Sequence, residues 1–135
     1  MLEITINKSR SSALFSRKST LRKKLKNLDN VFIGKGNLAG KGVYASRDFK
    51  KDEIVIHYSL KSLTRDQFEN LPESEKMFTH EHRGIIMLYS EPERYVNHSF
   101  TGNVYQDLVK QCDIALRDIE KGEVITGDAT KDDFS

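Results

Sequence analysis

Arg94-Tyr95-Val96-Asn97-His98-Ser99, followed four residues later by Asn103, is the stretch on which the reading of this chain turns. An apolar approach leads into an Asn–His pair and a small hydroxyl residue. An asparagine amide both donates and accepts, so Asn97 can serve an ammonium and a carboxylate, while the backbone at Asn97 and His98 can bond a purine edge. A zwitterionic ligand that also carries adenine would use both. Taken alone, the pair equally suits a turn whose side chains satisfy their own backbone.

Two further blocks accompany it. Upstream lie Gly40-Lys41-Gly42-Val43-Tyr44-Ala45 and Lys51-Asp52-Glu53-Ile54-Val55; downstream lies Ala115-Leu116-Arg117-Asp118-Ile119-Glu120-Lys121-Gly122-Glu123-Val124-Ile125-Thr126. Glycines at 40 and 42 permit positive φ and close approach of a ligand to the backbone, although most such pairs are simple turns. The spacing is not GxGxxG ahead of a helix, which argues against a Rossmann site, and no P-loop is present.

In this order, over roughly residues 30–129, the three blocks resemble the SET domain of protein lysine methyltransferases. Asn97-His98-Ser99 with Asn103 is similar to the family's NHS motif, with Gly102 where a proline is usual. Residues 115–126 are similar to its A-x-RDI-x-xGEE(L/I)T segment, with Val124 for the second Glu. Residues 40–58 are similar to its opening block, with Asp52 for the Gly before Glu53.

The resemblance implies a mainly β fold: the family's β-clip of several small sheets, with a short helical insert and a C-terminal pseudoknot. It implies S-adenosyl-L-methionine as cofactor, held by Ala39, Gly40 and Lys41, by Asn97 and His98, and by His82 from a variable insert over 60–83. Phe78 and His80 are alternative cofactor contacts in that insert. Tyr58 matches a tyrosine of the narrow lysine channel, and Tyr58 and Tyr95 are the candidate catalytic hydroxyls. The implied reaction is direct displacement, in which a neutral lysine amine attacks the sulfonium methyl without a metal. The partner is a protein substrate carrying a lysine, histone-like or ribosomal.

The chain departs from the family at Gly127-Asp128-Ala129. Ala129 stands where a tyrosine is usually placed beside the reacting amine, and no tyrosine follows Tyr105. Phe134 is the only later aromatic. The cysteine-rich zinc segment of larger members is absent. Two functions stay open: a lysine methyltransferase, or a SET-like module that binds the cofactor or a lysine-bearing tail with weak or no transfer.

At 135 residues the chain suits a single core. Apolar residues at 37% and charged residues at 31% match a soluble protein, and no run reaches the ~18 apolar residues of a membrane span. The N-terminus lacks the apolar segment of a secretory signal, so an intracellular site, cytoplasm or nucleus, is expected. Cys112 is the only cysteine, which excludes an internal disulfide and a four-cysteine zinc cluster, and it reads as a small buried residue opening a strand.

Charge is uneven. Residues 1–30 hold eight Lys/Arg against Glu3 and Asp29, about +6, so the remainder of this +2 chain carries about −4. The expected division is therefore a basic arm over 1–29 and a SET domain over 30–135. The arm is either a solvated tail or a site for an anionic partner such as nucleic acid.

Element by element, Leu2, Ile4 and Ile6 suit an edge strand, and Leu14, Leu21, Leu25 and Leu28 predict a basic helix over 18–28. Strands are expected at 31–33, 43–45, 53–58, 85–89 and 123–126, with a hairpin of 103–109 and 112–117. Thr64 and Gln67 predict a capping box for a helix over 64–70, and Pro72 opens a second short helix reaching Phe78. His80-Glu81-His82 reads as a polar surface turn rather than a metal site. Asp107, Asp113 and Asp118 read as hairpin-face charges. No internal repeat or low-complexity segment is evident.

Overall fold

The computed structural model describes residues 17–131. The expected edge strand around Leu2–Ile6, Leu14 and Phe134 lie outside them. Residues 17–30 are helical, here α1. Then follow β1 (Val31–Leu38), β2 (Lys41–Ala45), β3 (Ile54–His57), β4 (Lys61–Leu63), α2 (Arg65–Glu69), α3 (Glu73–Lys76), β5 (Thr79–His82), β6 (Ile85–Leu88), a 3₁₀ turn (Glu93–Tyr95), β7 (Asn97–Ser99), β8 (Val104–Asp107), β9 (Cys112–Ala115) and β10 (Val124–Asp128). The larger sheet runs β1-β2-β10-β8-β9-β3 with β7 also on β10, and a smaller one runs β4-β6-β5. The fold is thus mainly β, in several small sheets, as expected. No helix among the described residues is long and apolar enough to cross a membrane.

The core is built from the apolar positions of those strands. Val43, Val55, Ile56, Val104, Ala115 and Ile125 are completely buried. Removing such side chains from water is the main favourable term, about 25 cal/mol per Å². The insert forms locally: Thr64 caps α2 by accepting from Gln67 N, and the Gln67 side chain accepts from Thr64 N, the complete capping box. Pro72 sits immediately before α3.

Several expectations need correction. β1 does not stop at Gly34 but continues to Leu38, with a register shift between Lys35 and Leu38. The glycines are there for proximity. A Cβ on Gly34 would lie 2.7 Å from the Tyr44 ring, and one on Gly36 would lie 2.6 Å from Gly42 N. β4, β5 and β7 were not expected as strands; each is short and completed by its neighbours' backbones rather than by its own propensity. His80-Glu81-His82 therefore lies on a strand.

The chain also contains an internal repeat. Ala45–Glu53 reads ASRDFKKDE and Ala115–Glu123 reads ALRDIEKGE. The two segments bond reciprocally. Phe49 and Ile119 exchange backbone bonds at 2.8 and 2.9 Å; Lys51 N donates to Asp118 and Lys121 N donates to Asp48. Arg47 pairs with Glu53 as Arg117 pairs with Glu123, each at 3.0 Å. Asp52 and Gly122 occupy equivalent positions, both at positive φ. An Asp tolerates that conformation better than most side chains, so the Asp52 departure from the family pattern keeps the turn.

The C-terminal strand is clamped beneath the segment 97–103. β7 runs parallel to β10, with Asn97 opposite Thr126, His98 opposite Gly127 and Ser99 opposite Asp128. Asn103 is buried and makes four bonds there. Its N–H donates to Thr126 O at 2.9 Å and its carbonyl accepts from Leu116 N at 2.8 Å. Its side chain accepts from Thr126 N at 2.9 Å and donates to Val124 O at 2.8 Å. Gly102 does more than alter stiffness, since a Cβ there would lie 2.6 Å from the Gly127 carbonyl carbon.

The division drawn at residue 29 falls inside α1. Asn27 Nδ2 donates to His57 O at 2.7 Å and Asn27 Oδ1 accepts from His57 N at 2.8 Å. Asn30 Nδ2 donates to Val55 O at 3.1 Å. The last turn of the helix thereby covers the otherwise open edge of β3. Leu21, Leu25 and Leu28 remain exposed on it.

Asn103→Ala is expected to lower stability by roughly 1–3 kcal/mol, because it leaves two part-buried backbone groups of β10 without their partner. Urea unfolding checks this, and Asn27→Ala, which likewise removes two part-buried bonds, those to His57, is expected to cost a similar amount.

A candidate active site at a polar cavity

The loop at 38–41 is set by its own backbone. Ala39 and Gly40 both take positive φ, 54° and 78°, between the paired residues Leu38 and Lys41. Two consecutive positive φ values define a type I′ hairpin turn. A Cβ on Gly40 would meet nothing within 4 Å, so the turn is open on its outer side.

This turn and the Asn–His pair lie side by side. The amide nitrogen of Asn97 stands 3.2 Å from where a Cβ on Gly42 would be. Lys41 Nζ lies 5.0 Å from the centre of the Tyr95 ring. On the other side of β7, His98 Nδ1 is 3.1 Å from where a Cβ on Gly127 would be. Glycines at 42 and 127 therefore leave room for the Asn97 and His98 side chains. Asn97 is half-buried and His98 exposed.

Beside them opens a cavity of about 150 Å³. Its exposed lining includes Met77, His80 and His98, and its buried lining includes Tyr58, Phe78, Tyr89, Glu93, Gln106 and Asp113. The Tyr58 hydroxyl donates to Asp113 in a very short bond. Gln106 Nε2 donates to the Tyr89 hydroxyl at 2.5 Å. His80 stands edge-on to Tyr89 with ring centres 4.8 Å apart, and desolvation of its ring, then His98, holds its pKa below the ordinary histidine value.

The remaining candidates fall elsewhere. His82 is two residues nearer the β5–β6 turn, opposite Ile85, and does not line the cavity. Its place at the wall is taken by His80, because β5 is a strand whose register sets the reach of each imidazole. Tyr95 is buried but does not line the cavity. Its hydroxyl donates to Glu91 at 3.1 Å and its ring packs edge-on against Phe78, centres 5.4 Å apart. Ala129 is exposed just beyond β10, its N–H donating to Ser99 O at 3.1 Å. Cys112 is buried at the start of β9, and burial followed by Asp107 and Asp113 raises its thiol to about 11. Among the described residues no group of three or more His, Cys, Asp or Glu is placed to hold a metal.

Asp113 is not a hairpin-face charge: it is 4% exposed and faces the cavity. The signal was in the sequence, since it interrupts the apolar run Cys112-Ile114-Ala115. Glu93 was also missed. It is 5% exposed, and its carboxylate accepts from Ser59 N, at 3.4 Å to each oxygen. Burial raises its pKa to about 8, opposed by the Ser59 N–H, reinforced by Asp113, and opposed again by its own N–H and the Arg94 charge. Nothing in the local sequence marks it, because a Glu before Arg94 reads as a solvated turn. Arg94, next in the chain, also lines the cavity but is fully engaged: it pairs with Glu75 at 2.6 Å, donates to Tyr89 O at 2.9 Å and lies 4.5 Å over the Phe78 ring.

A buried acid whose pKa is raised holds its proton more tightly folded than unfolded, so stability falls as pH rises from about 4.5 through about 8. In Glu93→Gln this decline is expected to flatten, by a few kcal/mol at most across the window. Urea unfolding at pH 5 and pH 8.5 for both proteins measures it.

A family model described as SET domain matches residues 40–128. Histone-lysine N-methyltransferase 2D of Homo sapiens is 32% identical over 126 residues, covering 80% of this chain and 2% of its own length. The Drosophila melanogaster histone-lysine N-methyltransferase trr is 26% identical over 132 residues, covering 87% of this chain and 5% of its own. This chain thus spans a small fraction of those curated relatives. A crystal structure of a Plasmodium falciparum chain provisionally named a histone methyltransferase superposes with a TM-score of 0.56 at 24% identity, over 73% of this chain and 90% of that one. That likeness concerns the fold.

Proposed function

This chain belongs to the SET-domain family, and from that premise we propose that it is a protein-lysine N-methyltransferase using S-adenosyl-L-methionine. The observation that carries the reading is one juxtaposition. The open turn at Ala39–Lys41 and the Asn97–His98 step adjoin a cavity whose buried wall presents the Tyr58 hydroxyl.

The residues present fit such a cofactor. Gly40 leaves the turn unobstructed, Gly42 and Gly127 let the Asn97 and His98 side chains stand close to the neighbouring backbones, and both chain segments offer backbone and amide groups of the kind a zwitterion and an adenine need. Ala39, Gly40, Lys41, Asn97 and His98 would hold it, with His80 at the cavity wall in place of His82. When bound, it supplies an electrophilic methyl group.

The chain's own work is positioning and proton control. A free lysine has a pKa of about 10.4 and arrives as an ammonium. The buried, partly apolar wall of Phe78, Tyr58 and Tyr89 favours the neutral amine by desolvation. Tyr58, held by Asp113, fixes an oxygen at the wall, and fixed dipoles of this kind orient an amine without reorganising during reaction. Tyr95, bonded to Glu91 and packed on Phe78, supports that wall from behind. The lysine-bearing substrate is histone-like or ribosomal, met inside the cell, and the basic segment over 1–29 attracts an anionic partner.

A second reading rests on Ala129. With no hydroxyl at that exposed position, the domain binds cofactor or a lysine-bearing tail and transfers methyl slowly or not at all.

Calorimetry with S-adenosylhomocysteine is expected to show binding that Asn97→Ala weakens at least tenfold; no binding to the unaltered chain ends both readings. Incubation with labelled cofactor, histones and ribosomal proteins then separates them. Transfer to lysine supports the first, and Ala129→Tyr is expected to raise it several-fold. Binding without transfer to any lysine, the chain's own included, supports the second.

A further inference from the structure

The cavity that receives the lysine in the proposed reaction contains more acid than a purely apolar channel needs. Two carboxyl groups, Glu93 from the 3₁₀ turn and Asp113 from β9, line it, and both are more than nine-tenths buried. Asp113 holds the Tyr58 hydroxyl. Among the described residues no side chain donates to Glu93; its carboxylate takes two 3.4 Å contacts from the Ser59 N–H and a weaker contribution from its own backbone N–H. The nearest cation in sequence, Arg94, also lines the cavity but is engaged by Glu75, the Tyr89 carbonyl and the Phe78 ring. A carboxyl desolvated to this degree without a charged partner is costly to ionise, so it waits for either a proton or a cation.

We propose that Glu93, supported by Asp113, is the recognition and proton-accepting site for the primary amine that enters this cavity. The inference rests on the lysine-channel reading above and adds a carboxylate base to it. The step balances simply. The entering ammonium and the Glu93 carboxyl together hold one proton too many for a close pair, so the proton already on Glu93 leaves to solvent. Within the pair, one N–H bond of the ammonium then breaks and an O–H bond forms on Glu93. The nitrogen lone pair is freed, and the pair is neutral amine beside neutral acid. The other groups facing this point are Asp113, Tyr58, Tyr89 and Gln106 on the buried wall, with His80 and His98 nearer solvent. Arg94 is the one fixed cation that also lines the cavity, and its guanidinium is paired with Glu75 at 2.6 Å, so an entering ammonium meets a Glu93 carboxyl that this cation does not bond. Burial and the Asp113 charge push the Glu93 pKa to about 8, high enough for a proton to be present at neutral pH and low enough to be displaced by a cation.

The test uses the whole chain and n-butylamine, which is the lysine side chain without its backbone, against n-butanol, its uncharged counterpart. Titration calorimetry at pH 7 in buffers of differing ionisation heat counts protons released on binding. Butylamine is expected to bind at least tenfold more tightly than butanol and to release about one proton, the release falling toward zero above about pH 9. Glu93→Gln is expected to abolish both the preference and the release while retaining S-adenosylhomocysteine binding. Asp113→Asn is expected to weaken butylamine but keep the release. Equal binding of amine and alcohol, or butylamine binding with no buffer dependence, overturns the proposal and leaves the methyltransferase reading standing. Failure of the unaltered chain to bind S-adenosylhomocysteine overturns both. Should Glu93→Gln not fold, the comparison of probes and buffers on the unaltered chain still decides.

Discussion

The side-chain amide of Asn103 occupies the hydrogen-bonding positions that a further strand would offer to β10. It accepts from Thr126 N and donates to Val124 O, while its own backbone reaches Thr126 O and Leu116 N. One buried residue thus fastens three parts of the chain: the segment 97–103, the C-terminal strand and the end of β9. Because Asn97–Ser99 is laid parallel to Thr126–Asp128 by the same arrangement, the position of the Asn–His pair is fixed by the C-terminal strand. The glycine turn follows, since β2 is the other neighbour of β10. Without this clamp Asn97–Ser99 is a three-residue strand with little else to order it. A buried amide is costly to leave unpaired, which is why the clamp is all-or-none rather than graded.

The rest of the scaffold repeats the same economy. The strands are short, and few could persist alone. Their order comes from reciprocal backbone pairing, most visibly between Ala45–Glu53 and Ala115–Glu123, whose Arg–Glu pairs and Asp–backbone bonds mirror one another. The Arg–Glu pairs are solvent-exposed and contribute little by themselves. Their value is geometric: they hold two turns so that Phe49 and Ile119 meet in the core. At the opposite edge, Asn27 and Asn30 use their amides on β3 as Asn103 does on β10. Side-chain amides thus complete the backbone bonding of both β3 and β10.

The site inherits its character from that scaffold. β7 and the turn before β2 bring polar backbone and amides to one rim, whereas β9 and the 3₁₀ turn bring two carboxyl groups to the interior of the adjoining cavity. Placing acids among Phe78, Tyr58 and Tyr89 costs desolvation energy, and Glu93 registers that cost as a proton it holds to about pH 8. The carboxyl groups at 93 and 113 give this cavity an acidic interior that the sequence motifs alone do not imply.

Much of this was written in the sequence. The motif trio gave the family and the mainly β fold, and the strands at Val43–Ala45, the hairpin around Lys110-Gln111, the Thr64 capping box and the buried Cys112 could be read from local pattern, because each rests on residues adjacent in the chain. Other features were decided only by tertiary structure. β1 passes through Gly34 and Gly36 because a neighbouring ring and backbone press against them. His80 and not His82 reaches the cavity because β6 sets the register of β5. Tyr95 points its hydroxyl at Glu91, and Glu93 and Asp113 face inward, because the 3₁₀ turn and β9 are oriented by elements far away in sequence. Residue type and spacing fix which groups are available and which local structures they favour; burial and direction depend on what packs opposite, and that partner is chosen only when distant segments meet.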